Sequence, residues 1–598
     1  MTVAVDLPRL ELDRPFTYLA PDDEGIGVGT LVSVSFHGRT VKGWILGAAD
    51  DDIPRRVLPI RRILSRVPLF DEADLRLYRW VSERYVAPLA TVIGRAHPPR
   101  VAGEEAREPP SASDPPPFRP PRLLAGYPRG GRLVSECTSG SGAFVVRPLP
   151  NHEAGACLEA VAACVRGGRD AIVLVPEAEP LPETARVVAE AFGDAALVLA
   201  GGDRRDRYRA WLDILAGRYR VIVGTRPAVF APLSRLGLVW VNREGHPGHR
   251  EARSPYYHVR EIALARGRLQ EAVCVLAAHC PSAEAVALSS AGDAVVVRAS
   301  RAAERSAGPL VETVRPERQD ITPRLASALR SAEGAFLLES RRGYGIARVC
   351  RTCGQLARCA ACSGGVSIRA GQPICLVCGA RAPCPACGGT RFGVDAGGTE
   401  RVQELASRMT GGSVHLAESG DRARAPGPGS VVVATAAAVK DFGALRVGLV
   451  AVLDADRARS RAGISVPEQT LATWMEAALW AGPRGSGRRV LVQTRAPADP
   501  TIQALVRWDP WHFHRHERRR REEAGFPPGF PVFRVRGSAK LEQAVAELDA
   551  VNLLVSRSDG EAVSLVTLHP DAVSGFRQWV LRHLEDGAVS RVEAEPQL

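Results

Sequence analysis

The sequence predicts an α/β protein of two parallel lobes, the second carrying a double zinc insert. A small β-rich module precedes them and an α+β domain follows. Three observations predict this. Short apolar strands alternate with helical stretches from 143 to about 300, and again after Ala335, as in a parallel sheet covered by helices. Four Cys-x-x-Cys pairs interrupt the second series. A chain of 598 residues with 45% hydrophobic content and ordinary charge is globular, with room for about four domains.

The elements follow in chain order. Leu31–Phe36 alternates as a half-buried strand does, Gly38-Arg39 signals a hairpin, and Val41–Leu46 returns. Apolar residues at helical spacing (Leu75, Tyr78, Val81) place a helix over Asp71–Tyr85. These make a module over 1–100. A Pro-rich linker over 101–135 is expected to form neither helix nor sheet in its 108–121 stretch. The first lobe, 136–300, has strands at Ala143–Val146, Ala171–Val175, Ala196–Leu199, Val221–Val223, Leu238–Val241 and Val273–Leu276. The second lobe takes 301–345 and 395–503, with strands at Ala335–Leu338, Val431–Val433, Leu449–Leu453 and Val490–Gln493. The insert spans 346–394. The last domain, 504–598, is expected to open with a basic helix, His514–Glu523, and the His-rich Trp511–His516 is expected as loop or surface.

The cysteine pairs are Cys350/Cys353, Cys359/Cys362, Cys375/Cys378 and Cys384/Cys387, eight of thirteen cysteines. Two intervening residues let a tight knuckle aim both sulfurs at one tetrahedral metal. The gaps of five, twelve and five residues suit nested pairing. Cys359, Cys362, Cys375 and Cys378 would hold one zinc; Cys350, Cys353, Cys384 and Cys387 the other. Disulfides and a redox motif are the competing readings, disfavoured by this density in a chain whose first residues carry no secretory signal. A shell of four thiolates leaves no position for water, so both zincs are expected to be structural. No apolar run is long enough for a membrane span, and a cytoplasmic protein without a membrane partner is expected.

Net charge is +12, which favours a polyanionic partner. The basic residues are nearly all arginine; Lys42, Lys440 and Lys540 are the three lysines.

Several stretches resemble the PriA family of replication-restart helicases. Leu12–Tyr18, Val34–Phe36 and Gly38-Arg39 look like its DNA 3′-end-binding domain. Val221–Pro232 is similar to its motif around Gly-Thr-Arg, and Tyr256–His258 to the following helix. Ser340–Tyr344 precedes the cysteine block and Gly398–Val402 follows it, as in the family; Asp454–Asp456, Val490–Thr494 and Phe526–Pro528 continue the match. The resemblance implies two RecA-like lobes and a role in replication restart. It implies branched or forked DNA as ligand, primosome and single-strand-binding proteins as partners, and a place near the nucleoid. It also implies DNA contacts: Phe16 stacking on a terminal base, Tyr18 beside it, Gly38 and Arg39 at a hairpin tip, Arg341 and Arg342 beside the insert, and the arginines of 514–523.

The sequence departs from the family at its nucleotide motifs. Arg147–Ala154 stands where a Gly-rich loop ending in Lys-Thr cradles phosphates, and its two prolines remove two amide donors. Asn242-Arg-Glu-Gly245 replaces the acidic box that organises Mg²⁺, Ala277–Ser282 replaces the third motif, and Leu479–Pro483 replaces the arginine-finger box, with Arg484 a candidate remnant. These losses predict a protein that is not an enzyme and uses no ATP or Mg²⁺. The alternative is an active ATP-dependent 3′→5′ helicase with diverged motifs.

Overall fold

The computed structural model describes the chain except residues 22–24, 50–56, 317–320, 341–344, 354, 356, 361–365, 370–371, 376–379, 398, 411–413, 418–428, 444–445, 460–462, 559–560 and 597–598. The described residues form two compact units. One comprises Met1–Pro148, His152–Arg298 and Glu517–Pro596; the other comprises Leu149–Asn151 and Ala299–His516.

The N-terminal module is a six-stranded sheet in the order Leu58–Pro59, Phe16–Leu19, Thr2–Val5, Arg39–Gly47, Leu31–Phe36, Arg62–Ser65. Its central hairpin turns in two residues, His37 at φ 46° and Gly38 at φ 75°, with Phe36 opposite Arg39. Both turn residues are left-handed, the geometry that matches strand twist, and glycine supplies it without a Cβ clash. The helix Glu72–Arg84 starts at a capping box, where the Asp71 carboxylate accepts the Asp74 N–H at 2.9 Å.

The first lobe is a seven-stranded, wholly parallel sheet. Its order is Val295–Arg298, Gly142–Arg147, Val273–Ala277, Leu236–Asn242, Asp170–Leu174, Val221–Gly224, Ala196–Leu199. All seven residues of Leu236–Asn242 are buried, as expected of a strand with helices on both faces. The loops after Gly142–Arg147, Leu236–Asn242 and Val273–Ala277 therefore gather at one end of three adjacent strands, where open α/β sheets place ligands.

The last domain is a four-stranded antiparallel sheet, Ala550–Ser558, Glu561–Leu568, Val532–Gly537, Val589–Ala594, packed on the helix Val573–Glu585. It joins the first unit through long-range polar contacts. Arg577 ion-pairs with Asp13 and donates to the Ser82 carbonyl at 2.8 Å. Arg84 pairs with Glu595, and Arg250 donates to the Ala594 carbonyl at 3.0 Å.

The second lobe is a six-stranded parallel sheet, Val311–Val314, Arg489–Gln493, Leu449–Val452, Ala335–Leu338, Val431–Ala434, Val414–Ala417. The insert leaves it after Ala335–Leu338 and forms two small antiparallel ladders, Gly345–Cys350 with Phe392–Gly397 and Val366–Arg369 with Gln372–Cys375.

Three expectations change. The helix Gly130–Ser139 takes the end of the expected linker. The helix Pro500–Arg507 packs in the second lobe, so the final domain does not begin at 504. The His-rich stretch is helical within Pro510–Glu523, with Phe513 and His514 buried, because tertiary burial overrides its polar composition.

Candidate functional site

The four outer cysteines converge. The sulfurs of Cys350, Cys353, Cys384 and Cys387 lie within 4.8 Å of one another, with Cys350–Cys387 at 3.5 Å and Cys353–Cys384 at 3.6 Å. A disulfide needs about 2.05 Å, and these cysteines are free. Ligands about 2.3 Å from a tetrahedral zinc stand roughly 3.8 Å apart, so the cluster can hold a metal ion such as zinc. The knuckles explain the convergence. Cys350 N–H donates to the Gln355 carbonyl at 2.8 Å and Cys384 N–H to the Gly389 carbonyl at 2.9 Å, each closing a turn that folds the second cysteine back. Backbone amides favour thiolate at Cys350, where the Cys353 N–H, with that of Thr352, lowers the thiol to about 6, whereas the neighbouring Cys353 and Cys350 sulfurs raise Cys387 against the Gly389 N–H.

Of the inner four, Cys359 and Cys375 are buried in a small cluster with Ala357, Val366 and Ala382; Cys362 and Cys378 lie outside the described residues. Cys375 N–H donates to the Ala380 carbonyl at 2.9 Å, the same five-residue closure as in the outer knuckles.

On the N-terminal module, Phe16 is half-buried, its ring 4.9 Å from that of Phe36. His37 extends the aromatic row at 4.5 Å from Phe36, and the Arg14 guanidinium lies over the Phe16 ring at 5.3 Å. Gly38 and Arg39 are exposed at the adjacent turn. Tyr18 stands apart from this surface. It is 5% exposed, and its hydroxyl donates to the Ser35 carbonyl at 3.0 Å, so it serves the module core. Arg341 and Arg342 lie outside the described residues. Sequence reasoning missed Phe36, His37 and Arg14; the signal was their position, beside the hairpin turn and Phe16.

The basic helix is largely self-neutralised. Arg518 pairs with Glu522 at 2.5 Å, Arg519 with Glu523 at 2.8 Å, and Arg521, which is buried, with Glu517 at 3.0 Å. A row of arginines with glutamates four residues on is a paired helix face before it is a phosphate-binding one.

At the loop end of the first lobe, Arg147 is buried and its Nε donates to the His279 carbonyl at 2.9 Å. Glu244 accepts from the Ser282 N–H at 2.6 Å and hydroxyl at 2.9 Å, and pairs with Arg260 at 3.2 Å. Burial raises the Glu244 pKa despite the opposing Arg260 charge. The second and third loops are thus bonded to each other. In the second lobe Arg484, the candidate remnant of the finger box, bonds to backbone carbonyls. Its N–H donates to the Gly308 carbonyl at 2.9 Å and its guanidinium reaches the Val506 carbonyl.

The sequence matches the PriA 3′ DNA-binding domain (3′BD) family over residues 2–98. It is 33% identical over 569 residues to a probable replication restart protein PriA of Mycobacterium tuberculosis, covering 90% of this chain and 86% of the relative. The replication restart protein PriA of Treponema pallidum is 27% identical, over 88% and 85%. Among solved structures, Saccharomyces cerevisiae Dbp5 bound to RNA and ADP BeF3 aligns with a TM-score of 0.40 at 10% identity, over 66% of this chain and 88% of that one. RecG bound to a three-way DNA junction aligns with a TM-score of 0.39 at 12% identity, over 67% and 47%.

The relation to the mycobacterial protein overturns the expectation that the chain is not an enzyme. Identity of one third extends across nine-tenths of this chain and 86% of that replication restart protein. Substituted residues in four loops record changed side chains, not lost turnover, and the Glu244–Ser282 link keeps two of those loops joined. Among the described residues, no helix is long and apolar enough to cross a membrane.

Proposed function

Because the chain belongs to the PriA family of replication restart proteins, we propose that it binds stalled or branched DNA forks and promotes reloading of the replicative helicase there. On this reading it works at the nucleoid with primosome and single-strand-binding proteins. The observation that carries the reading is the aromatic row Phe16–Phe36–His37, flanked by Arg14 and Arg39 on the N-terminal module. Half-buried rings offer stacking faces to unpaired bases, and the guanidiniums offer phosphate contacts. Arg341 and Arg342 would add contacts beside the insert.

Fluorescence anisotropy with a labelled fork and a blunt duplex of equal length tests it. Fork affinity should exceed duplex affinity and fall steeply with salt as phosphate contacts release counterions. Phe16→Ala should cost about 1–3 kcal/mol of fork binding. Equal affinity for both DNAs, or an unaffected variant, would sink the reading.

The insert completes the proposal with two structural zincs, one on the outer and one on the inner cysteines. The shared knuckle closure at Cys350, Cys375 and Cys384 supports the second site. Native mass spectrometry should count two. ATP-driven unwinding is the second reading, favoured by the family relation. DNA-stimulated phosphate release that disappears in Glu244→Gln would support it.

A further inference from the structure

The helix Pro510–Glu523 sorts its three histidines by face. His514 is buried beside Phe513, whereas His512 is half-buried and His516 is exposed. Positions 512 and 516 are one helical turn apart, so their side chains leave the same face. Their rings meet edge to face, with 5.2 Å between centroids and 71° between planes. Neither ring has a hydrogen-bond partner among the described residues. Each neutral imidazole therefore keeps a nitrogen lone pair unused.

Two histidines four apart on a helix form a chelate whose geometry the backbone has already set, so binding restricts little beyond side-chain rotation. Nitrogen ligands about 2.0–2.1 Å from one ion stand roughly 3–3.4 Å apart. Rings with 5.2 Å between centroids reach that separation by turning toward each other. We propose that His512 and His516 chelate a divalent ion of the zinc–copper–nickel class on the solvent side of this helix, apart from the cysteine cluster, with water in the remaining positions. Imidazole selects such ions over magnesium and calcium, which take oxygen ligands. The carboxylates further along the helix are already engaged. Glu517 pairs with Arg521, Glu522 with Arg518 and Glu523 with Arg519, so they do not make a hard-cation site here. Burial, then Arg507, His516 and Arg515, lowers the His512 pKa against the Asp509 carboxylate. That ring is thus in its neutral, ligand form at neutral pH. The same arginines repel a dication, so the ion is held by its bonds to nitrogen rather than by charge.

The test uses tag-free, zinc-loaded, full-length protein titrated with nickel(II) in a calorimeter, with the visible spectrum recorded alongside. One equivalent should bind saturably, without the intense sulfur-to-nickel bands of thiolate coordination. His512→Ala and His516→Ala each remove half of the chelate and should weaken binding at least about tenfold. The double variant His516→Ala/Arg518→His keeps the number of histidines but sets the second ring off the His512 face, and should not restore binding. Saturable binding retained by either single variant, or restored in the double variant, overturns the proposal. So does absence of a saturable equivalent in the parent protein, a result that needs no variant to fold.

Discussion

In the first lobe the central strands are buried along their length, and the apolar core runs on into both flanking domains: Tyr78 of the N-terminal module, Phe230 and Tyr257 of the lobe, and Phe533 and Trp579 of the last domain belong to one buried cluster. In the second lobe one buried cluster gathers Leu325, Leu337, Val402 and Val433. The insert that leaves this lobe buries little beyond Ala357, Cys359, Val366, Cys375 and Ala382 among the described residues. The lobes and the insert are therefore held by different forces. Hydrophobic burial stabilises the first unit directly, whereas a stretch as short as the insert cannot bury enough and needs a metal staple.

The largest expected effect tests that contrast. Cys384→Ser should release the metal of the outer cluster and melt the insert. Structural zinc sites carry about 10–16 kcal/mol of binding energy in isolated peptides. Native mass spectrometry should show the loss, and the first unit's unfolding transition should not move. Joint loss of both transitions would break the comparison.

Next is Phe230→Ala. The ring sits between Tyr78 at 5.9 Å and Tyr257 at 5.3 Å and is fully buried. Truncation should cost about 3–5 kcal/mol, read as a lower melting temperature of the first unit with metal content unchanged.

The smallest effect sharpens the contrast through pH. Burial raises Asp74 from 3.8 to about 6, with Arg266 opposing. The folded state holds this proton more tightly than the unfolded chain, so the stability the group contributes is present below pH 4 and lost as pH rises through 6. Asp74→Asn should abolish that loss, so its stability relative to wild type should rise by roughly 3 kcal/mol between pH 4 and 7. Denaturant titrations at several pH values measure it; parallel curves would show that Asp74 stays ionised.

Much of this was legible. The lobes were readable because strands buried on both faces appear as unbroken apolar runs, as at Leu238–Val241. The outer cysteine cluster was readable because sulfur spacing within a knuckle is local. The inward bond of Tyr18 to the Ser35 carbonyl was not legible, because composition does not say whether a ring points into a core. The altered nucleotide loops misled further: the residue types were plain, but inferring inactivity from them went beyond what residue types carry.

By itself the sequence determined the strand and helix series, the knuckles and the basic composition, since each follows from interactions within a few residues. Tertiary structure alone decided that Asp13 meets Arg577, that Glu595 meets Arg84, and that Glu153 meets His279. Those partners come from elements far apart in the chain. Their meeting depends on strand order and on the burial of whole faces, which no local spacing encodes.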